Sequence, residues 1–166
     1  MAEDKMPKTI RVGIADLQVT TEPNVLMTLG LGSCVGICLW DKTSKVAGLS
    51  HIMLPNSFDA RKEINEMKYA DTAIDIILAD MINLGARKTR IVAKIAGGAH
   101  MFSTMDNNNA PKIGDLNVAA VKEKLEEVKV KIIAEDTGDD YGRTVEFHST
   151  NGKVLVKTAM RGIKEL

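Results

Sequence analysis

From Ile10 to Val19 the chain alternates apolar with small or polar residues (IRVGIADLQV), the period expected of a strand with one buried face. Val25 to Leu29 is a short apolar run. Val35 to Trp40 and Val46 to Met53 flank the polar segment Asp41 to Lys45, which has hairpin length. Past Pro55 the period lengthens. Met67, Ala70, Ile74, Ile77, Leu78 and Met81 recur at three- and four-residue steps, so Lys68 to Leu84 is expected to form an amphipathic helix closed by Gly85. Thr89 to Ile95 has strand character and ends at Gly97-Gly98. A loop is expected at Asp106 to Asn109 with Pro111. Asp115 to Val128 is expected to be a second helix, with Leu116, Ala119, Ala120, Leu125 and Val128 turned inward. Strands at Lys131 to Glu135, Arg143 to His148 and Lys153 to Thr158 follow, the last two joined through Asn151-Gly152 as a type I′ hairpin.

Strands gathered at both ends of the chain, with two helices between them, predict an α+β fold whose mixed sheet carries helices on one face. No repeat, low-complexity block or Pro/Gly-rich linker divides the 166 residues, so residues 1–166 are expected to form a single domain. Lys and Arg total 22, as do Asp and Glu, giving a formal net charge of zero. That balance argues against a protein that binds nucleic acid by neutralising phosphates, and against a polybasic membrane anchor. The apolar stretch Ala73 to Leu84 is interrupted by Asp75 and Asp80, and the first ten residues lack the apolar segment of a signal peptide. A cytoplasmic protein without direct membrane insertion is the expectation. Its two cysteines, Cys34 and Cys38, are then expected to be free thiols.

The chemistry concentrates in Thr28-Leu29-Gly30-Leu31-Gly32-Ser33-Cys34-Val35-Gly36. A cysteine that follows Gly-x-Gly-Ser at the mouth of a strand sits where backbone amides can stay exposed. Glycine admits the tight backbone angles needed there and lets a substrate reach the main chain. Amides around Gly32 and Ser33 could then hold the oxyanion of a tetrahedral intermediate. A thiol near its ordinary pKa is mostly protonated at neutral pH, so Cys34 as nucleophile requires a neighbouring base. Of the three histidines, His51 lies on the strand expected to pair back on the Cys34 strand, so the hairpin brings the two near each other. The alternative is that Cys34 is a small core residue and His51 a satisfied structural one. Cys38, inside an apolar strand with no glycine approach, is expected to pack in the core. A four-ligand metal site built on Cys34 and Cys38 would need the distant His100 or His148, and the usual paired-ligand spacings are absent. No metal and no cofactor is expected.

The Thr28 to Gly36 segment, followed by Gly48-Leu49-Ser50-His51-Ile52-Met53-Leu54-Pro55, resembles the chemoreceptor glutamine deamidase family CheD. The similarity continues through Tyr69-Ala70-Asp71-Thr72-Ala73-Ile74, Lys94-Ile95-Ala96-Gly97-Gly98-Ala99 and Ile113 to Asn117, in the family's order. The resemblance implies an α/β sandwich similar to bacterial toxin deamidases. It also implies a Cys–His–Thr site at Cys34, His51 and Thr28, with Thr28 orienting the imidazole through its hydroxyl or its carbonyl. The implied activity converts glutamines on the cytoplasmic helical region of methyl-accepting chemotaxis receptors to glutamate, through a thioester. Cleavage of glutamyl methyl esters would share that acyl-enzyme. A CheC-type phosphatase is the implied second partner, and the implied place of action is the cytoplasm at membrane receptor clusters. For a helical partner, Gly97, Gly98, Ala99, His100, Met101 and Phe102 are the candidate contact. A non-catalytic regulator that binds receptor and phosphatase is the competing reading.

Overall fold

Alternation with apolar residues on both faces is what a central strand needs when it is covered on both sides, and β4 (Val35–Asp41) and β5 (Val46–Ile52) have it. In a computed structural model describing residues 5–58, 65–101 and 112–166, these strands form a hairpin at the centre of a five-stranded sheet. Its order is β2 (Asp16–Thr21), β5, β4, β6 (Ile91–Gly97) and β7 (Lys131–Thr137). Neighbours are antiparallel except β6 and β7, which are parallel and joined through α2 (Ile113–Glu127). A second sheet contains β1 (Thr9–Arg11), β3 (Val25–Leu31), β8 (Arg143–His148), β9 (Val154–Thr158) and β10 (Gly162–Glu165), in that order.

Two cores separate three layers. Val35, Ile37 and Leu39 of β4 face α1 (Ala70–Asn83) and α2, meeting Ile74, Ile77, Met81, Val121 and Leu125. Cys38 of β4 and Ala47 and Leu49 of β5 face the other sheet, meeting Leu26, Leu31, Val145 and Phe147. The architecture is the α+β sandwich with mixed sheets and two helices that the sequence predicts. The loop expected at Asp106 to Asn109 and Pro111 lies outside the described residues.

Three local expectations change. Ile10 to Val19 is two strands, because the chain turns at Gly13 to Ala15, where Ala15 has φ 57°, and passes from one sheet to the other. The inner face of α2 is Gly114, Asn117, Val121 and Leu125, whereas Ala119 is exposed and Leu116 is 41% exposed. Placing polar Asn117 and side-chainless Gly114 outside rotates the expected face; the structure buries both because each has a specific neighbour, described below. Asn151-Gly152 lies in a longer turn, Ser149 to Gly152, closed by hydrogen bonds between His148 and Lys153 and from Gly152 N to His148 O. Of the pair only Gly152 has a positive φ, so the turn is not type I′.

Candidate active site

The site forms where the chain twice changes sheets. Strand β3 ends at Leu31 in one sheet and β4 begins at Val35 in the other, so Gly32, Ser33 and Cys34 cross the gap. A crossing peptide has left one ladder and not yet joined the next, so its polar groups need other partners. The three carbonyls find them. Ala99 N donates to Gly32 O at 2.9 Å, the Asn117 side-chain amide to Ser33 O at 2.9 Å, and Gly98 N to Cys34 O at 2.8 Å. The amides are treated differently. Gly32 N turns back to Gly30 O, while Ser33 N and Cys34 N have no acceptor in another residue among the described residues. Neither donor is therefore spent on another residue among the described residues.

Gly97 and Gly98 are the floor beneath this crossing. Gly97 has φ 116°, and a Cβ there would stand 2.2 Å from Cys34 O; a Cβ on Gly98 would stand 2.3 Å from a Val118 methyl. Gly114, at the start of α2, is held to glycine by the Gly98 and Ala99 carbonyls, each 2.6 Å from its would-be Cβ.

His51 occupies β5 at the second change of sheet. Ala15 N, in the β1–β2 turn, donates to His51 O at 3.0 Å. The register sets His51 opposite Gly36, two residues beyond Cys34, so the expected facing of Cys34 and His51 is a diagonal one. By strand parity both point into the layer between the sheets. Diagonal neighbours on one face lie about 7–8 Å apart at Cα, close enough for side chains to meet. No hydrogen bond joins the thiol to the imidazole in this resting arrangement, and His51 Nε2 is buried without a partner among the described residues.

Thr28, across the layer on β3, is fully buried. Its Oγ1 lies 2.7 Å from Val12 O and 2.7 Å from His51 Nδ1. The carbonyl can only accept, so the single hydroxyl proton goes to Val12 O. Oγ1 must then accept from Nδ1–H. That choice assigns the His51 proton to Nδ1 and leaves Nε2 with a bare lone pair. Burial pushes the imidazole down to about 4, so His51 is neutral at physiological pH. Burial pushes the Cys34 thiol up, partly offset by its own backbone N–H. The resting pair is a neutral thiol beside a neutral imidazole. Cys38 is deeply buried, and desolvation holds its thiol protonated despite Lys94 nearby.

The rest of the expected contact segment divides. Gly97, Gly98 and Ala99 are buried and offer no side-chain surface. His100 bonds Asp115 on α2 at 2.7 Å. Met101 is 46% exposed and lies over Gly32, whose would-be Cβ is 3.1 Å from Met101 Cγ. Phe102 lies outside the described residues. Asn117 is the site-lining residue that spacing did not single out.

Residues 53–158 match the family model described as CheD chemotactic sensory transduction, well over half of the chain. The chain belongs to the CheD family. The matched region starts past His51 and so omits Thr28, Cys34 and His51. Full-length similarity extends further. The probable chemoreceptor glutamine deamidase CheD of Caldanaerobacter subterraneus subsp. tengcongensis is 51% identical over 157 residues, 95% of this chain and 97% of its own. The chemoreceptor glutamine deamidase CheD of Halalkalibacterium halodurans is 48% identical over 162 residues, covering 97% of this chain and 100% of its own. A probable chemoreceptor glutamine deamidase CheD of Clostridium botulinum is 50% identical over 159 residues, 96% of this chain and 98% of its own. Among the described residues, no helix of this CheD-family chain is long and apolar enough to cross a membrane.

Proposed function

We propose that this chain is a cysteine amidohydrolase that converts glutamine side chains on the cytoplasmic helical region of chemotaxis receptors to glutamate. The family and the names of its relatives support the substrate class. The observation that carries the mechanism is the Val12–Thr28–His51 relay, because it gives His51 a bare Nε2 in the layer that Cys34 faces.

The reaction runs in two halves. His51 Nε2 takes the Cys34 proton as Sγ attacks the carboxamide carbon, and the oxyanion is held by the amides of Ser33 and Cys34. The C–N bond breaks and ammonia leaves with the proton returned from Nε2. Water, deprotonated by Nε2, attacks the thioester, and the C–S bond breaks to give glutamate and the thiol. Gly32 contributes by its bareness and its anchored carbonyl, since its own amide is spent on Gly30 O. Because thiol and imidazole rest uncharged, proton transfer accompanies attack and does not precede it. A glutamyl methyl ester would pass through the same thioester and release methanol.

The product appears in the cytoplasm at receptor clusters, where the chain also binds a CheC-type phosphatase. Met101, beside the cysteine loop, is the most exposed described residue of the Gly97 to Phe102 segment and offers side-chain surface to either partner. Incubation with a purified receptor cytoplasmic fragment should raise the fragment's intact mass by about 1 Da per converted glutamine. A fragment that is bound yet never gains mass would support the non-catalytic regulator instead.

A further inference from the structure

Asn117 projects from α2 into a fully buried position at the boundary between the helical layer and the crossing loop. Its Nδ2 donates to Ser33 O and to Met53 O, both at 2.9 Å. Two carbonyls on one nitrogen fix the orientation of the side-chain amide, since neither could donate to Oδ1. Oδ1 itself is buried without a partner among the described residues. A side chain that spends its donors on two carbonyls and finds no donor for its acceptor there is a poor choice for packing alone.

The consequence lies on the other side of the Ser33 peptide. In a trans peptide the carbonyl and the following N–H point in opposite directions. Holding Ser33 O toward α2 therefore fixes the Cys34 N–H on the side away from the helix. Resting on the reading of Cys34 as nucleophile, we infer that Asn117 is the positioning residue of the oxyanion hole. It prevents the Ser33–Cys34 peptide from flipping, and through Met53 O ties that peptide to the chain just beyond His51. The two anchors beside it, Ala99 N on Gly32 O and Gly98 N on Cys34 O, do not act on this peptide, so Asn117 alone sets its direction among the described residues.

Deamidation and simple alkylation separate this role from general support. Attack on a carboxamide develops an oxyanion; alkylation of Cys34 by iodoacetamide does not. Asn117→Ala, measured on the receptor fragment, should lose about 10²-fold or more in kcat, as loss of one oxyanion donor does. KM should stay unchanged, and the rate of Cys34 alkylation should stay within about threefold. Asn117→Ser is run beside it as a second truncation, with a smaller gap and a polar atom, in case Asn117→Ala does not fold. Folding of each is checked by circular dichroism. In a folded variant, unchanged kcat overturns the inference, and so does an equal fall in deamidation and alkylation, which marks a structural role only. If neither variant folds, Asn117 is a structural residue and the inference fails. A Cys34→Ala protein that still deamidates would instead remove the reading of the site on which the inference rests.

Discussion

His51 is placed in a buried layer, and that burial holds it uncharged at neutral pH. A buried neutral imidazole is useful as a base only if the correct nitrogen carries the proton. Thr28 makes that choice because its own proton is committed to Val12 O. Thr28→Val keeps the shape and removes the acceptor, so Nδ1–H loses its partner and both tautomers populate. We expect kcat on a receptor fragment to fall about tenfold to a hundredfold with the fold retained, and Thr28→Ser to recover most of it. Unchanged kcat in Thr28→Val would show that the relay is structural. That Cys34 and His51 lie near each other is legible in the chain, because a glycine approach and a hairpin act over short distances. Thr28 was not, since a buried strand threonine has no distinguishing spacing; the family resemblance supplied it. Asn117 bonds residues 84 and 64 positions away, a contact that no local pattern encodes.

At the scale of elements, Cys34 and His51 sit at strand ends, and Thr28 reaches His51 from within β3. The β3–β4 crossing and the β1–β2 turn both carry the chain between sheets beside His51, and the end of β6 closes the floor. The hydrophobic pattern gave the order of strands and helices because period two and period 3.6 are set by which face is buried. It merged β1 with β2, because alternation continues through a turn even when the chain changes sheets. On α2 it finds Leu125, Ala120 and Val128 against the core but misses Gly114 and Asn117, because glycine and asparagine carry no hydrophobic signal. Gly97→Ala tests the floor. Its Cβ would meet Cys34 O at 2.2 Å from a backbone with φ 116°, so the main chain must move. We expect a loss of about 1–3 kcal/mol of stability, read as a melting temperature lower by several degrees, together with loss of deamidation. A melting temperature and activity equal to wild type would contradict the packing described.

For the whole molecule, two buried titratable groups on the central β4–β5 hairpin contribute to the response to acid. Asp41, at the end of β4, is fully buried. Burial raises its pKa, but hydrogen bonds from Arg90, the Arg87 and Thr43 amides and Ser44 outweigh that, and the carboxyl ends well below its ordinary 3.8. A depressed carboxylate stabilises fully above its unfolded value and loses that contribution as pH falls below it. His51 is depressed from 6.5 to about 4, so the unfolded chain takes up its proton first. Its contribution is complete above about 6.5 and is lost as pH falls towards 4. Calorimetry should therefore show a melting temperature nearly flat from pH 8 to 7, falling between 6.5 and 4 as the unfolded chain protonates His51, and still falling below 4 as Asp41 takes over. Asp41→Asn should melt lower at pH 7 and lose part of the fall below pH 4. A melting temperature unchanged between pH 7 and 4.5 would show that His51 is not held neutral by burial.

The layers meet the chemistry at one thiol, and one comparison examines it most directly. Intact-mass analysis of a receptor fragment is made after incubation with wild type and with Cys34→Ala at equal concentration. Wild type should give a gain of about 1 Da per converted glutamine and Cys34→Ala none, while the melting temperature of Cys34→Ala should stay close to wild type. Equal gains with both proteins would contradict the role given to Cys34, because the nucleophile would then lie elsewhere.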